Sequence, residues 1–168
     1  MLIIACEIQA QRHEKIVMSN PLNLSYRFQT DGVCRRETAD PVIILFKDRY
    51  YLFASHSSGY WHSSNLKDWT YVATKTLKAV EAWAPALLIY KDALYYLGMG
   101  EERIYRSTAP EADKWEEVKF DLQGLGDPAF KITTDGYTYI MDAPIGPLSR
   151  ELRLIQKMVL RKSEQKLI

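Results

Sequence analysis

The stretch DPVIILFKDRYYLF, Asp40 to Phe53, returns as APALLIYKDALYYL, Ala84 to Leu97, and this repetition restricts the folds open to the chain. Pro41 answers Pro85, Lys47-Asp48 answers Lys91-Asp92, and Tyr50-Tyr51 answers Tyr95-Tyr96, at an offset of 44 to 45 residues. The downstream parts correspond too. YWHSSNLKDWTYV (Tyr60 to Val72) answers IYRSTAPEADKWEEV (Ile104 to Val118), with Trp69 opposite Trp115. A third copy opens at DPAFKITTDGYTYI, Asp127 to Ile140, where Pro128 lies 43 residues after Pro85 and Asp135-Gly136 takes the place of the Lys-Asp turn.

Each unit reads as an apolar run, a tight turn, an aromatic-rich run, a Ser/Thr-bearing strand and a strand opened by Trp. Four short strands per unit at a period in the forties is the pattern of β-propeller blades. A generic all-β sandwich accounts for the strands but not for their common register. The expected fold class is therefore all-β, a partial β-propeller of about two and a half four-stranded blades spanning residues 38–142. Residues 1–37 precede it as a separate N-terminal segment. After Asp142 the pattern changes. The segment 143–168 has helix-forming composition with apolar residues at Leu152, Ile155 and Val159, and it predicts a helical tail with a solvated charged face. Propellers close with four to eight blades, so two and a half leave a blade face and a strand edge uncovered. A truncated chain, self-association through that face, and marginal stability are all consistent with this.

Composition narrows the function classes. A chain of 168 residues suits one domain or part of a larger one. Hydrophobic residues at 47% and charged residues at 26% are ordinary for a soluble globular protein, and a net charge of +1 gives no reason to expect nucleic acid or a membrane surface as partner. Cys6 and Cys34 form no metal or redox motif, and His13, His56 and His62 are too scattered for a metal-ligand spacing, so neither metal nor cofactor is expected. The N-terminal MLIIACEIQAQ has two readings, a clipped secretory signal or a buried strand. The first is preferred, and it places the protein in a secreted or periplasmic setting. No other segment has the length and apolarity of a membrane span.

Asp40, Trp83 or Ala84, and Asp127 hold equivalent positions at the start of the three units. The innermost strand of a blade lines the propeller axis, so these positions converge on one mouth of the ring. Two of the three are an acid before Pro. Pro restricts the preceding residue to extended geometry, which gives each carboxylate a set direction. A turn role, with the Asp side chain capping a nearby N–H, stands beside this chemical one.

The linked motifs ADPVIILFKDRYYLFAS, GYWHSSNLKDW, WAPALLIYKDALYYL and GDPAFKITTDGYTYI resemble glycoside hydrolase family 43, over roughly Arg36 to Asp142. The resemblance implies a five-bladed propeller acting on arabinose- and xylose-containing polysaccharides by inversion. It further implies that Asp40 is the general base and that Asp127 orients the general acid and tunes its pKa. Carbohydrate partners follow, such as arabinan, arabinoxylan or xylan oligosaccharides. The family's proton donor is a Glu in a later blade. Glu151 and Glu164 lie in the tail, not at a blade opening, and neither fits that role. Trp83 and Trp61 are candidates for stacking on sugar rings, with inter-blade core as the competing role for both. Trp69 and Trp115 recur late in their units and read as packing. Ala86 stands where the family often has an acid. A weak or inactive glycosidase is thus expected, with a non-catalytic carbohydrate-binding or structural propeller fragment as the alternative.

Overall fold

The computed structural model describes residues 38–119, 126–132, 138–142 and 153–158, together with Leu24. The N-terminal segment 1–37 otherwise lies outside the described residues, as does most of 143–168. Eleven strands are described: β1 Val42–Phe46, β2 Arg49–Phe53, β3 Tyr60–Ser63, β4 Thr70–Val72, β5 Trp83–Tyr90, β6 Ala93–Met99, β7 Arg103–Ala109, β8 Lys114–Lys119, β9 Pro128–Ile132, β10 Thr138–Asp142 and β11 Arg153–Met158. They form three antiparallel sheets, ordered β1-β2-β3-β4, β5-β6-β7-β8 and β11-β10-β9. The all-β expectation holds, and each sheet follows the chain as a simple meander.

The turns between the first two strands of each sheet are read correctly. Phe46 pairs with Arg49 across Lys47-Asp48, and Tyr90 pairs with Ala93 across Lys91-Asp92. Lys47 and Asp48 both have positive φ, 49° and 59°, as a type I′ hairpin requires. These equal turn lengths fix the repeat offset at 44, which sets Tyr51 opposite Tyr95. The pairing of Tyr50-Tyr51 with Tyr95-Tyr96 is one residue out. The side-chain period of a strand is two, so the slip matters. Tyr51 and Tyr96 enter the same core between the first and second sheets, while Tyr95 faces the third sheet.

The second sheet is buried on both faces. Along β6, Leu94 and Tyr96 pack toward the first sheet, and Ala93, Tyr95 and Leu97 pack toward the third. The first core is mostly aromatic. Phe53 stacks on Tyr60 with ring centroids 4.7 Å apart, and the edge of Trp115 meets both rings at 5.9 Å. Trp115 is 7% exposed, as its packing role predicts. The Tyr60 hydroxyl accepts from Trp115 Nε1 at 2.9 Å and donates to the Pro110 carbonyl at 2.7 Å, so buried polar atoms on both sheets are paired. Asp113 gives a second clasp. Its carboxylate accepts from the Thr74 and Thr76 hydroxyls and from the Lys75 N–H, tying the linker after β4 to the turn before β8.

The predicted helix over 143–168 is corrected at Arg153–Met158, which form β11 and pair antiparallel with β10. The third sheet therefore runs past Asp142. Helix propensity is worth only tenths of a kcal/mol per residue, and completing the hydrogen-bond ladder of an exposed strand outweighs it.

On β1, Val42, Ile44 and Phe46 face the first core, while Ile43 and Leu45 on the opposite side are 42% and 50% exposed. Their repeat equivalents, Leu87 and Ile89, pack against the first core. The open side of the first sheet thus has the sequence character of a side that is covered in the second.

Candidate functional site

The starts of β1 and β5 come together. Asp40 ends the segment before Pro41 and is exposed, and Ala84 is the matching residue before Pro85 in β5. Neither backbone is extended, as a residue before proline was expected to be. Asp40 has φ 49° and Ala84 has φ 47°. Asp tolerates the left-handed region because its side chain bonds locally, but Ala has no such compensation. His56 and Ser58, in the loop after β2, also have positive φ, at 51° and 54°. Such outliers persist only where the surroundings over-determine the backbone, and they tend to cluster at functional sites.

Ser55 accounts for the coupling. It is fully buried; its hydroxyl donates to Asp40 Oδ2 at 3.2 Å and accepts from the Ala84 N–H at 3.0 Å. Its own N–H donates to the Ala39 carbonyl at 2.9 Å. Nothing in the local sequence around Ser55 marks it, because its partners lie 15 and 29 residues away.

Trp83 opens β5 and is half-buried, with its ring against His56 at a centroid distance of 4.1 Å. His56 in turn lies 3.9 Å from the Glu81 carboxylate. Trp83 therefore stands beside the Asp40–Ser55–Ala84 junction with part of its surface open. Trp61 is different. It is 2% exposed and packs against Tyr71, with ring centroids 5.2 Å apart. No ring face is left for a ligand, so its candidacy as a sugar platform is corrected to core. Alternation along β3 sends Tyr60 into the first core and Trp61 to the opposite side, where Tyr71 packs against its ring.

Asp127 is exposed immediately before β9 and, like Asp40 two residues before β1, directly precedes a proline. β1 packs beside β5 and β5 beside β9, so the three opening strands follow one another in space as well as in sequence. Glu151 and Glu164 lie outside the described residues. Among the described residues, no cluster of His, Cys, Asp and Glu is grouped to hold a metal ion, and no helix is long and apolar enough to cross a membrane.

A second polar cluster spans the same two sheets. The Tyr51 hydroxyl donates to Glu111 at 2.8 Å, and Arg49 donates to His62 Nδ1 at 3.1 Å. Burial pushes the Tyr51 hydroxyl up, and its bond to Glu111 adds to this. Burial alone would raise Glu111, but the Tyr51 hydrogen bond and the Arg49 charge carry it below the usual carboxylate range. Burial and then Arg49 lower His62. This cluster is a seam between sheets rather than an opening.

No protein-family model matches the chain, and no curated protein matches it. Solved structures do. A bifunctional GH43-CE protein of Bacteroides eggerthii matches with TM-score 0.52 and 17% identity over 71% of this chain and 19% of that one. A GH43_12 protein retrieved from capybara gut metagenome matches with TM-score 0.50 and 24% identity, over 67% and 26%. The GH43 BlXynB protein of Bacillus licheniformis is 20% identical, with TM-score 0.49, over 64% and 27%. By the first two matches the described sheets have the fold of part of a glycoside hydrolase family 43 structure, and the chain spans between 19% and 27% of the length of the three proteins.

Proposed function

We propose that this chain is a family 43-like propeller segment whose three sheets are successive blades of a five-bladed ring, and that Asp40 is the general base of an inverting glycosidase site. The observation that carries this reading is the Asp40 carboxylate standing exposed at the junction of two strand starts, on a left-handed backbone, with half-buried Trp83 alongside. In inversion, a carboxylate removes a proton from water as the water attacks the anomeric carbon, and an acid on the other side protonates the departing oxygen. Asp40 takes the first role. Asp127, at the equivalent strand start, orients the acid. Trp83 offers an indole face to the sugar, and the substrates are arabinan, arabinoxylan or xylan oligosaccharides. Among the described residues no carboxyl is matched to the proton donor, and loss of general acid catalysis costs about two to four orders of magnitude.

The chemistry suggests the test. The aglycone of a 2,4-dinitrophenyl xyloside or arabinofuranoside departs as a stabilised phenolate and needs no general acid, whereas the sugar leaving group of a xylo-oligosaccharide does. The expected result is slow hydrolysis of the activated glycoside, abolished by Asp40→Asn, with little or none of the oligosaccharide. Absence of Asp40-dependent turnover of the activated glycoside overturns the reading. A binding role without catalysis is the second reading, favoured by the open part of Trp83. It predicts heat on titration with the same oligosaccharides, lost in Trp83→Ala. Self-association through the side of β1 carrying Ile43 and Leu45 belongs to the same picture. Light scattering checks it, with Leu45→Lys expected to lower the apparent mass.

A further inference from the structure

We propose that Ser55 is the positioning residue of the Asp40 carboxylate. A serine hydroxyl has one proton to give and lone pairs to receive. Here the Ala84 N–H donates to Ser55 Oγ at 3.0 Å, and the hydroxyl proton is directed to Asp40 Oδ2 at 3.2 Å. The Ser55 N–H holds the Ala39 carbonyl at 2.9 Å. One buried residue therefore fixes the backbone just before Asp40, the Asp40 side chain, and the opening of the next sheet.

This arrangement answers a physical need. Asp40 is exposed, and an exposed Asp side chain samples several rotamers in water. Ser55 is 0% exposed, so its own rotamer is set by packing and its hydroxyl is a fixed point. A general base must stay within hydrogen-bond reach of the water that it activates, and small misplacements are costly in rate. Ser55 lends the rigidity of the core to a carboxylate at the surface. Through Ala84 it also makes that placement depend on the docking of the second sheet against the first.

The catalytic meaning of Ser55 rests on reading Asp40 as the base, but its hold on the carboxylate is measurable without turnover. The full chain carrying 13C-carboxyl aspartate is compared as wild type, Ser55→Ala, Ser55→Thr and Asp40→Asn, the last identifying the Asp40 resonance. In Ser55→Ala the Asp40 resonance is expected to move, and in Ser55→Thr, which keeps a hydroxyl, to return to the wild-type position. On the dinitrophenyl glycoside, Ser55→Ala is expected to lower kcat roughly 10- to 100-fold with KM unchanged, and Ser55→Thr to restore most of it. Where Ser55→Ala does not fold, Ser55→Cys keeps the shape with only a weak donor and is expected to move the resonance in the same way. An unmoved Asp40 resonance in a folded Ala or Cys variant overturns the proposal. Absence of Asp40-dependent turnover in the wild type overturns the general-base reading instead, and the resonance still decides whether Ser55 places the carboxylate.

Discussion

Asp40 and Ala84 hold one backbone conformation with different side chains, which separates the cost of the conformation from the value of the carboxylate. The left-handed region costs an ordinary L-residue about 1–2 kcal/mol, and Asn and Asp are the non-glycine residues that enter it most readily. Asp40→Asn is therefore expected to leave stability within about 0.5 kcal/mol while removing the proposed base, whereas Asp40→Ala is expected to cost about 1 kcal/mol. At Ala84 the sign reverses. Ala84→Gly relieves the strain at φ 47° and is expected to stabilise the fold by up to about 1 kcal/mol, offset in part by the freedom glycine adds to the unfolded chain. Urea denaturation of the three variants measures all of this, and a neutral Asp40→Ala would mean that the strain is absent in solution. Tyr60 offers a different residue-scale case. Tyr60→Phe keeps the ring stack but leaves Trp115 Nε1 unpaired, while the Pro110 carbonyl keeps the Asp113 N–H at 2.9 Å. A loss of about 1–3 kcal/mol is expected from the same denaturation measurement.

At the scale of elements, the paired strands were legible because their signals are local. A two-residue polar turn between an apolar and an aromatic run specifies both strands and their register, and Lys47-Asp48 and Lys91-Asp92 do so in β1-β2 and β5-β6. What was not legible depends on partners far along the chain. Arg153–Met158 carry helix-forming composition, and only the ladder offered by β10 makes them a strand. Trp61 looked available because its place on β3 says nothing about what covers it. Ser55 gave no signal, since a serine after an apolar run is commonplace until Asp40 and Ala84 are brought to it. Gly59 is a further example. A Cβ there would lie 2.2 Å from the Val72 carbonyl and 2.6 Å from the Tyr71 hydroxyl, which itself donates to the Ser57 carbonyl. Gly59→Ala is expected to force β4 away from the start of β3. The expected loss is about 1–3 kcal/mol, in the range of an overpacked core, and the melting temperature reports it.

For the whole molecule, the seam between the first two sheets sets how the fold responds to acid. Arg49 has no acceptor, so its 3.1 Å bond to His62 Nδ1 requires that nitrogen to be unprotonated. Burial and Arg49 lower the folded-state value of His62 below its ordinary 6.5, so the unfolded chain takes up the proton first. The stability tied to neutral His62 is present above about 6.5 and is lost as the pH falls from there toward the lower folded value. Glu111 has the same sign at a lower range. The Tyr51 bond and Arg49 outweigh burial and hold it below its ordinary 4.5, so its contribution is present above that value and disappears as the pH falls further. Acid thus removes two bonds in turn, first Arg49–His62 within the first sheet and then Tyr51–Glu111 across the seam. The groups are partly exposed and screened, so each step is worth at most about 1 kcal/mol, or roughly 2–4 °C in Tm for a domain of this size. Melting curves between pH 7.5 and pH 2.5 check this. His62→Gln is expected to flatten the upper part of the profile and Glu111→Gln the lower. A wild-type Tm that does not change across the upper step would show that the Arg49–His62 bond, which joins β2 to β3, adds nothing to stability.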